Sequence, residues 1–331
     1  MLPLPQFAQP YRDGVWRVPY QDRAAAARTW AETHGLQAAS GDRRRIGLVL
    51  IDVQNTFCLP DFELYVSGAP EDSERLCSWI YRHLDCITQI WATMDTHTAA
   101  QIFHPLFWCD AAGNPPTPAA TVITPEAIAD GTWHVNGAIA PALGLTPTQM
   151  QDYATYYVRQ LSAAGKYPLT VWGYHSMLGG IGHALVSAVE EALFFHGIAR
   201  QSQPKLLLKG SHPLTENYSV LRPEVNCDPL GQTLVPTQDA LIEEWLSYDA
   251  LFIAGQAKSH CVAWTLADLL SAIRARDPLL ARKIHLLEDC TSPVVVPGVV
   301  DFSSQANDAF AAFAEAGMRR CTSQESLQWL E

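Results

Sequence analysis

No Cys-x-x-Cys pair occurs in this 331-residue sequence, although it holds eight cysteines. Scattered at 58, 77, 86, 109, 227, 261, 290 and 321, they make neither a disulfide framework nor a cysteine-rich zinc module. They fit reduced thiols in a cytoplasm. No apolar run is long enough to span a bilayer. The opening Met-Leu-Pro-Leu-Pro-Gln-Phe lacks the basic start and long apolar stretch of a secretion signal. Basic residues are scarce: 22 Lys and Arg against 34 Asp and Glu leave a net charge of -12. That balance speaks against a nucleic-acid surface or an anionic membrane as partner. Internal repeats and low-complexity tails are missing too. What remains is the apolar content of a globular chain, 48%. Its length suits about two domains, or one large α/β domain carrying an insertion.

Short apolar runs that end on polar residues set the architecture. Ile46 to Ile51 ends on Asp52, Gln89 to Met94 on Asp95-Thr96-His97, and Lys205 to Leu208 on Lys209. Ala250 to Ala254 leads through Gly255 to Cys261, Lys283 to Leu287 ends on Glu288-Asp289, and Met318 to Cys321 offers a sixth strand. Helical spacing fills the gaps at about Gln21–His34, Ser73–Cys86, Pro147–Ala164, Gly182–Phe195, Val262–Arg276 and Ser303–Ala316. Alternating strands and helices imply parallel pairing, hence a three-layer α/β/α sandwich with a mainly parallel, about six-stranded sheet and Rossmann-like topology. In such sheets ligands bind beyond the carboxyl ends of the strands. Asp52, Asp95, Lys209 and Cys261 all fall there. Between 106 and 167 the texture turns loop-rich around Pro115-Pro116-Thr117-Pro118, which reads as an insertion over that rim. The glycines at 179, 180 and 182 lack the third glycine of a dinucleotide fingerprint and the Lys-Ser/Thr of a P-loop, so phosphate binding is disfavoured.

Cys261 stands where a strand gives way to a helix, and a helix N-terminus favours a thiolate. A thiol nucleophile also needs a base and oxyanion donors. Asp52 is placed to be the base, Lys209 the cation beside it, and the N–H groups of Cys261 and its preceding loop the donors. The alternatives are a buried structural thiol and a structural Asp–Lys ion pair. A second cluster, Asp95-Thr96-His97 with His104 and His175, offers one carboxylate and several imidazoles. That donor set suits a borderline divalent metal such as Zn²⁺, Fe²⁺ or Mn²⁺. His260 precedes the thiol, but sequence neighbours rarely face each other at a helix start, so it is not taken as the base.

These residues together resemble the nicotinamidases and the wider isochorismatase-like cysteine hydrolases. The resemblance rests on Ile51-Asp52-Val53-Gln54-Asn55-x-Phe57, Asp95-x-His97, Trp172-Gly-Tyr-His175, Lys209-Gly210 with Asn217-Tyr218-Ser219, and Gly255-Gln-Ala257-Lys-Ser-His-Cys261-Val262. It spans about 46–104 and 170–330, leaving 1–45 as an N-terminal extension and 106–167 as an insertion in the hydrolase domain. It implies that Asp52 takes the thiol proton, Lys209 holds both groups, and Cys261 attacks an amide carbon to give a thioester and ammonia. It further implies oxyanion donors at Ala257 and Cys261, with a cis peptide at 256–257. Asp95, His97 and His175, with His104, would hold the metal, Zn²⁺ first, while Phe57 and Trp172 sandwich the substrate ring. The expected substrate is nicotinamide, as in NAD salvage, or a related small amide, and a homo-oligomer is left open. Gly173 and Ser176 depart from the family pattern around the third ligand. Another small amide, a carbamoyl compound or an ester is the alternative substrate. A metal-bound water as nucleophile, or a binding protein without catalysis, are the other classes.

Overall fold

The structure, a computed structural model, describes residues 1–327. Helix α1 (Tyr20–His34) precedes strand β1 (Ile46–Ile51), helix α2 (Ala69–Arg82) and strand β2 (Ile87–Asp95). Helices α3 (Pro147–Ala163) and α4 (Ser187–Ala199) lead to strand β3 (Lys205–Lys209), helix α5 (Asp239–Leu246) and strand β4 (Ala250–Gly255). Helix α6 (Ala263–Arg276), strand β5 (Ile284–Leu287), helix α7 (Ser303–Glu315) and strand β6 (Arg319–Cys321) close the order.

All six strands are parallel, in the order β6-β5-β4-β1-β2-β3. The alternation of a strand's side chains assigns each to one of two apolar layers. Leu48 and Leu50 of β1 pack with α2 and α4, whereas Val49 and Ile51 pack with α5, α6 and α7. Every residue of β1 and β4 is buried, which is why both read as continuous apolar runs. The expected three-layer α/β/α sandwich is the observed one. Helix α1 lies outside it, against α4.

Residues 102–172 build a separate apolar core of Phe103, Phe107, Trp108, Ile123, Met150, Tyr157 and their neighbours. Two antiparallel ribbons, Trp108–Cys109 with His134–Val135 and Val122–Ile123 with Leu169–Thr170, frame it. Thr146 caps α3 with a reciprocal capping box to Gln149.

Three boundaries differ from the sequence reading. Helix α2 begins at Ala69 rather than near Ser73, because Gly68 caps it at φ 94° and Pro70 suits its first turn. Helix α5 was not anticipated, although Ile242, Trp245 and Leu246 repeat at helical spacing on its buried side. The glycines at 179–182 do not open a helix directly, since α4 starts at Ser187. Among the described residues no helix is long and apolar enough to cross a membrane.

Candidate functional site

Four strand ends converge. Asp52 follows β1 at φ 47° and is fully buried; its N–H donates to Thr93 Oγ1 (2.9 Å), and that hydroxyl donates back to Asp52 Oδ1. Lys209, the last residue of β3, places Nζ 2.9 Å from Asp52 Oδ2 and 2.8 Å from Asp95 Oδ1. The same ammonium donates to Asn217 O (2.9 Å) and lies 3.6 Å from Cys261 Sγ. Cys261 stands in the wide turn Lys258–Val262 between β4 and α6. Gly255 makes the approach possible: at φ 113°, a Cβ there would lie 2.1 Å from Ile51 O.

Burial dominates the electrostatics here. It pushes the Cys261 thiol well up, opposed by Lys209 and reinforced by Asp52. It also pushes the Asp52 carboxyl up, again opposed by Lys209. For Lys209 burial acts downward, but Asp52 and Asp95 outweigh it and hold the ammonium well above its usual range. Burial thus works against the thiolate, and it makes Asp52 a stronger base than an exposed carboxylate. The helix-dipole argument favours a thiolate; burial acts against it, and the wide turn sets the sulfur ahead of the regular α6 helix.

The second cluster is continuous with the first through Lys209. One ligand atom each from Asp95, His97 and His175 lie within 4.8 Å of one another, all buried. Asp95 Oδ2 is 2.7 Å from His97 Nε2 and 3.4 Å from His175 Nε2. Each imidazole has its Nδ1 on a backbone carbonyl: His97 on Gly210 O (3.0 Å), His175 on Gly173 O (2.7 Å), His104 on Thr98 O (3.0 Å). That makes Nδ1 a protonated nitrogen on each ring and turns the Nε2 atoms of His97 and His175 toward Asp95 Oδ2, where a cation would replace the proton between them. This is how metal-binding imidazoles are oriented. His104 Nε2 is buried with no partner, although His104 falls outside the tight trio. A Cβ on Gly210 would lie 2.7 Å from the His97 ring. The donors and their orientation fit a divalent cation.

A narrow cavity over the thiol is lined by Phe57, Leu64, Val66, Asp95, Trp172, His175, Glu216, Tyr218, Ala257, His260, Cys261 and Val294. Phe57 and Trp172 thus reach the same space as Cys261. Gln54, two residues past Asp52, brackets the Asp95 backbone, its amide accepting from Asp95 N (2.7 Å) and donating to Asp95 O (2.9 Å). Glu216 escaped the sequence reading, and Tyr218 and His260 were given no place in the pocket there. Glu216 is buried with Oε2 unpartnered, and burial pushes its carboxyl up to about 8. Tyr218 Oη accepts from Trp172 Nε1 (2.9 Å). His260, kept neutral by burial, packs among the rings of Tyr167, Trp172, Tyr218 and Phe302. Nothing in the local sequence around Glu216 distinguishes it from a surface acid; only the neighbouring Asn217-Tyr218-Ser219 hinted at the segment.

No protein-family model matches the chain, and no curated protein matches it by sequence. Solved structures do. The yeast nicotinamidase Pnc1p bound to the inhibitor nicotinaldehyde superposes with a TM-score of 0.53 at 17% identity, over 84% of this chain and 99% of the other. The Acinetobacter baumanii nicotinamidase/pyrazinamidase superposes at 0.52 and 18% identity, over 85% and 98%. The chain has the nicotinamidase, isochorismatase-like fold.

Proposed function

We propose that the protein is a thiol-dependent amide hydrolase that converts nicotinamide or a related small amide to its acid and ammonia. The observation that carries this reading is one buried ammonium, Lys209, in contact with the thiol of Cys261 and the carboxylates of Asp52 and Asp95. Likeness to enzymes whose names denote nicotinamide hydrolysis supports it through the fold.

In this reading Phe57 and Trp172 clasp the ring and set the amide carbon over Cys261. Asp52 takes the thiol proton as sulfur bonds to that carbon, and Lys209 keeps the growing negative charge on sulfur and carboxylate compensated. The carbonyl π pair moves to oxygen, where the N–H groups of Ala257 and Cys261 receive it. Asp52 passes its proton to the leaving nitrogen, and ammonia departs. Water then adds to the thioester, giving its proton to Asp52; the acid leaves, and the proton returns to sulfur. Asp95, His97 and His175, with His104 behind them, would hold the divalent metal, Zn²⁺ first with Fe²⁺ or Mn²⁺ also suited. When bound it supplies a Lewis acid for a lone pair on the substrate ring. With eight free cysteines, the chain suits a reducing cytoplasm.

A second reading keeps the thiol and changes the substrate to another amide, a carbamoyl compound or an ester. The unpartnered Glu216 carboxyl in the cavity favours it, because an additional polar group on the substrate would find a partner there. Ammonia release across a panel of small amides and carbamoyl compounds, and acid release from small esters, each with and without chelator, test both. The thiol reading expects turnover that disappears in Cys261→Ala and Asp52→Asn. Turnover persisting in Cys261→Ala would remove it.

A further inference from the structure

Gln256 is a buried amide side chain in the loop that carries the nucleophile, between Gly255 and Ala257, and Asp72 is a buried carboxylate on α2. They meet: Gln256 Nε2 donates to Asp72 Oδ2 (2.8 Å). The other end of the amide is held as well, since Gln256 Oε1 accepts from Ser292 N (3.2 Å). Asp72 Oδ1 accepts from Arg75 Nη2 (2.7 Å), and Arg75 Nε donates to Asp289 O. Ser292 O in turn accepts from Lys258 N (2.8 Å), two residues past Gln256. The backbone N–H of Gln256 donates to Ile51 O (2.7 Å), the residue before Asp52. The loop from 256 to 258 is therefore pinned from α2, from the 289–292 segment and from the end of β1.

Burying an amide and a carboxylate costs free energy unless every polar atom is satisfied, and an apolar side chain at 256 would carry no such cost. What the polar pair adds is orientation. The N–H of Ala257 belongs to the rigid peptide plane shared with Gln256. Holding the Gln256 main chain at Ile51 and its side chain at Asp72 and Ser292 fixes the direction of that N–H.

We propose that Asp72 and Gln256 are positioning residues that aim the Ala257 N–H at the developing oxyanion. The proposal rests on the thiol-hydrolase reading above. It concerns the step in which the Cys261 sulfur bonds to carbon, the thiol proton passes to Asp52, and the carbonyl π pair becomes the oxyanion. Asp72 acts only through Gln256.

The test uses the full-length protein and the variants Asp72→Ala, Asp72→Asn, Gln256→Leu and the double Asp72→Ala/Gln256→Leu. Three quantities are read: kcat and KM for an amide the wild type turns over, inhibition by the matching aldehyde, and alkylation of Cys261 by iodoacetamide, followed on its peptide. A whole oxyanion donor is worth about a hundred- to a thousandfold in kcat, so misaiming one is expected to cost about ten- to a hundredfold. KM and the alkylation rate stay within about twofold, because neither needs the oxyanion donors. Aldehyde affinity falls in parallel with kcat, since its thiohemiacetal carries the same oxygen. The double variant is no worse than the worse single one, as expected when one residue acts through the other. Asp72→Asn, which keeps volume and one acceptor oxygen, falls between Asp72→Ala and wild type and covers the case in which Asp72→Ala does not fold. Variants with unchanged kcat, or with kcat and alkylation falling together, or with additive losses, overturn the proposal while the active wild type leaves the hydrolase reading standing. A wild type that releases neither ammonia from any amide or carbamoyl compound nor acid from any ester overturns the hydrolase reading itself, and this one with it.

Discussion

The rim of the sheet and the wall raised over it by residues 102–172 meet at one cavity, yet they are built on different principles. At the rim, chemistry follows directly from strand ends: Asp52, Asp95 and Lys209 each close or follow a strand, and Cys261 lies six residues past β4. The wall depends on contacts between distant segments. Glu216 N donates to Tyr157 Oη (3.1 Å), Tyr153 Oη to Leu214 O (2.7 Å), and Tyr167 Oη to Ser259 O (3.2 Å) beside the nucleophile. Lys166 pairs with the buried Glu224 at 2.9 Å. The rim supplies reacting groups, and the wall supplies shape. Perturbing the first should remove turnover, whereas perturbing the second should change which substrate is taken and how tightly.

The largest expected effect is at the sulfur. Cys261→Ala and Asp52→Asn should each lower kcat by at least about ten-thousandfold, as for removal of a nucleophile or its base in a concerted set, with circular dichroism unchanged. Next is Lys209→Met. It strands two buried carboxylates, so it should abolish turnover and also destabilise the fold by about 3–5 kcal/mol, read from denaturant midpoints. No single variant in the wall should do both. Third, His175→Ala should lower bound metal, measured by elemental analysis, to well below one per chain while Cys261 keeps its reactivity toward iodoacetamide. That outcome would separate the two clusters that Lys209 bridges.

Smaller effects sharpen the wall side. Tyr157→Phe leaves the Glu216 N–H without its acceptor, a loss of about 1–3 kcal/mol in stability for a buried donor. It should raise KM several-fold while kcat changes less than about twofold, in steady-state assays. The smallest effect is a pH slope. Burial raises the Glu216 carboxyl from 4.5 to about 8, so the folded chain holds that proton more tightly than the unfolded one. The resulting stability is complete below about pH 4.5 and is lost as pH rises through about 8. Melting temperatures of chelated protein between pH 5 and 8 should therefore fall, and Glu216→Gln should flatten the fall.

The same contrast explains what the amino-acid sequence made legible. β1 and β4 are uninterrupted apolar runs because both sheet faces are covered, and the polar residues that follow β1 and close β2 and β3 mark the rim without reference to the rest of the chain. The ordering of Asp52, Asp95-x-His97, His175, Lys209 and Cys261 could be read for that reason. The link from Lys209 to Asp95 could not: it spans 114 residues and depends on β2 and β3 lying side by side, with Asp95 opposite Lys209. Glu216, the part Tyr218 plays in the wall and the aromatic surround of His260 were hidden for a similar cause. Their neighbours come from segments far apart along the chain, and no local periodicity announces them. The burial that opposes a thiolate at Cys261 was not legible either, because a dipole can be placed from sequence, whereas the extent of desolvation cannot.

The central claim is that the Cys261 sulfur becomes acylated during amide hydrolysis. Acid-quenching the wild-type protein during turnover of an amide it hydrolyses, then weighing its peptides, tests this directly. The account predicts the substrate's acyl group on the peptide containing Cys261, formed and lost in step with ammonia release. Ammonia released at the wild-type rate by Cys261→Ala, with no acylated peptide at any time, would contradict it.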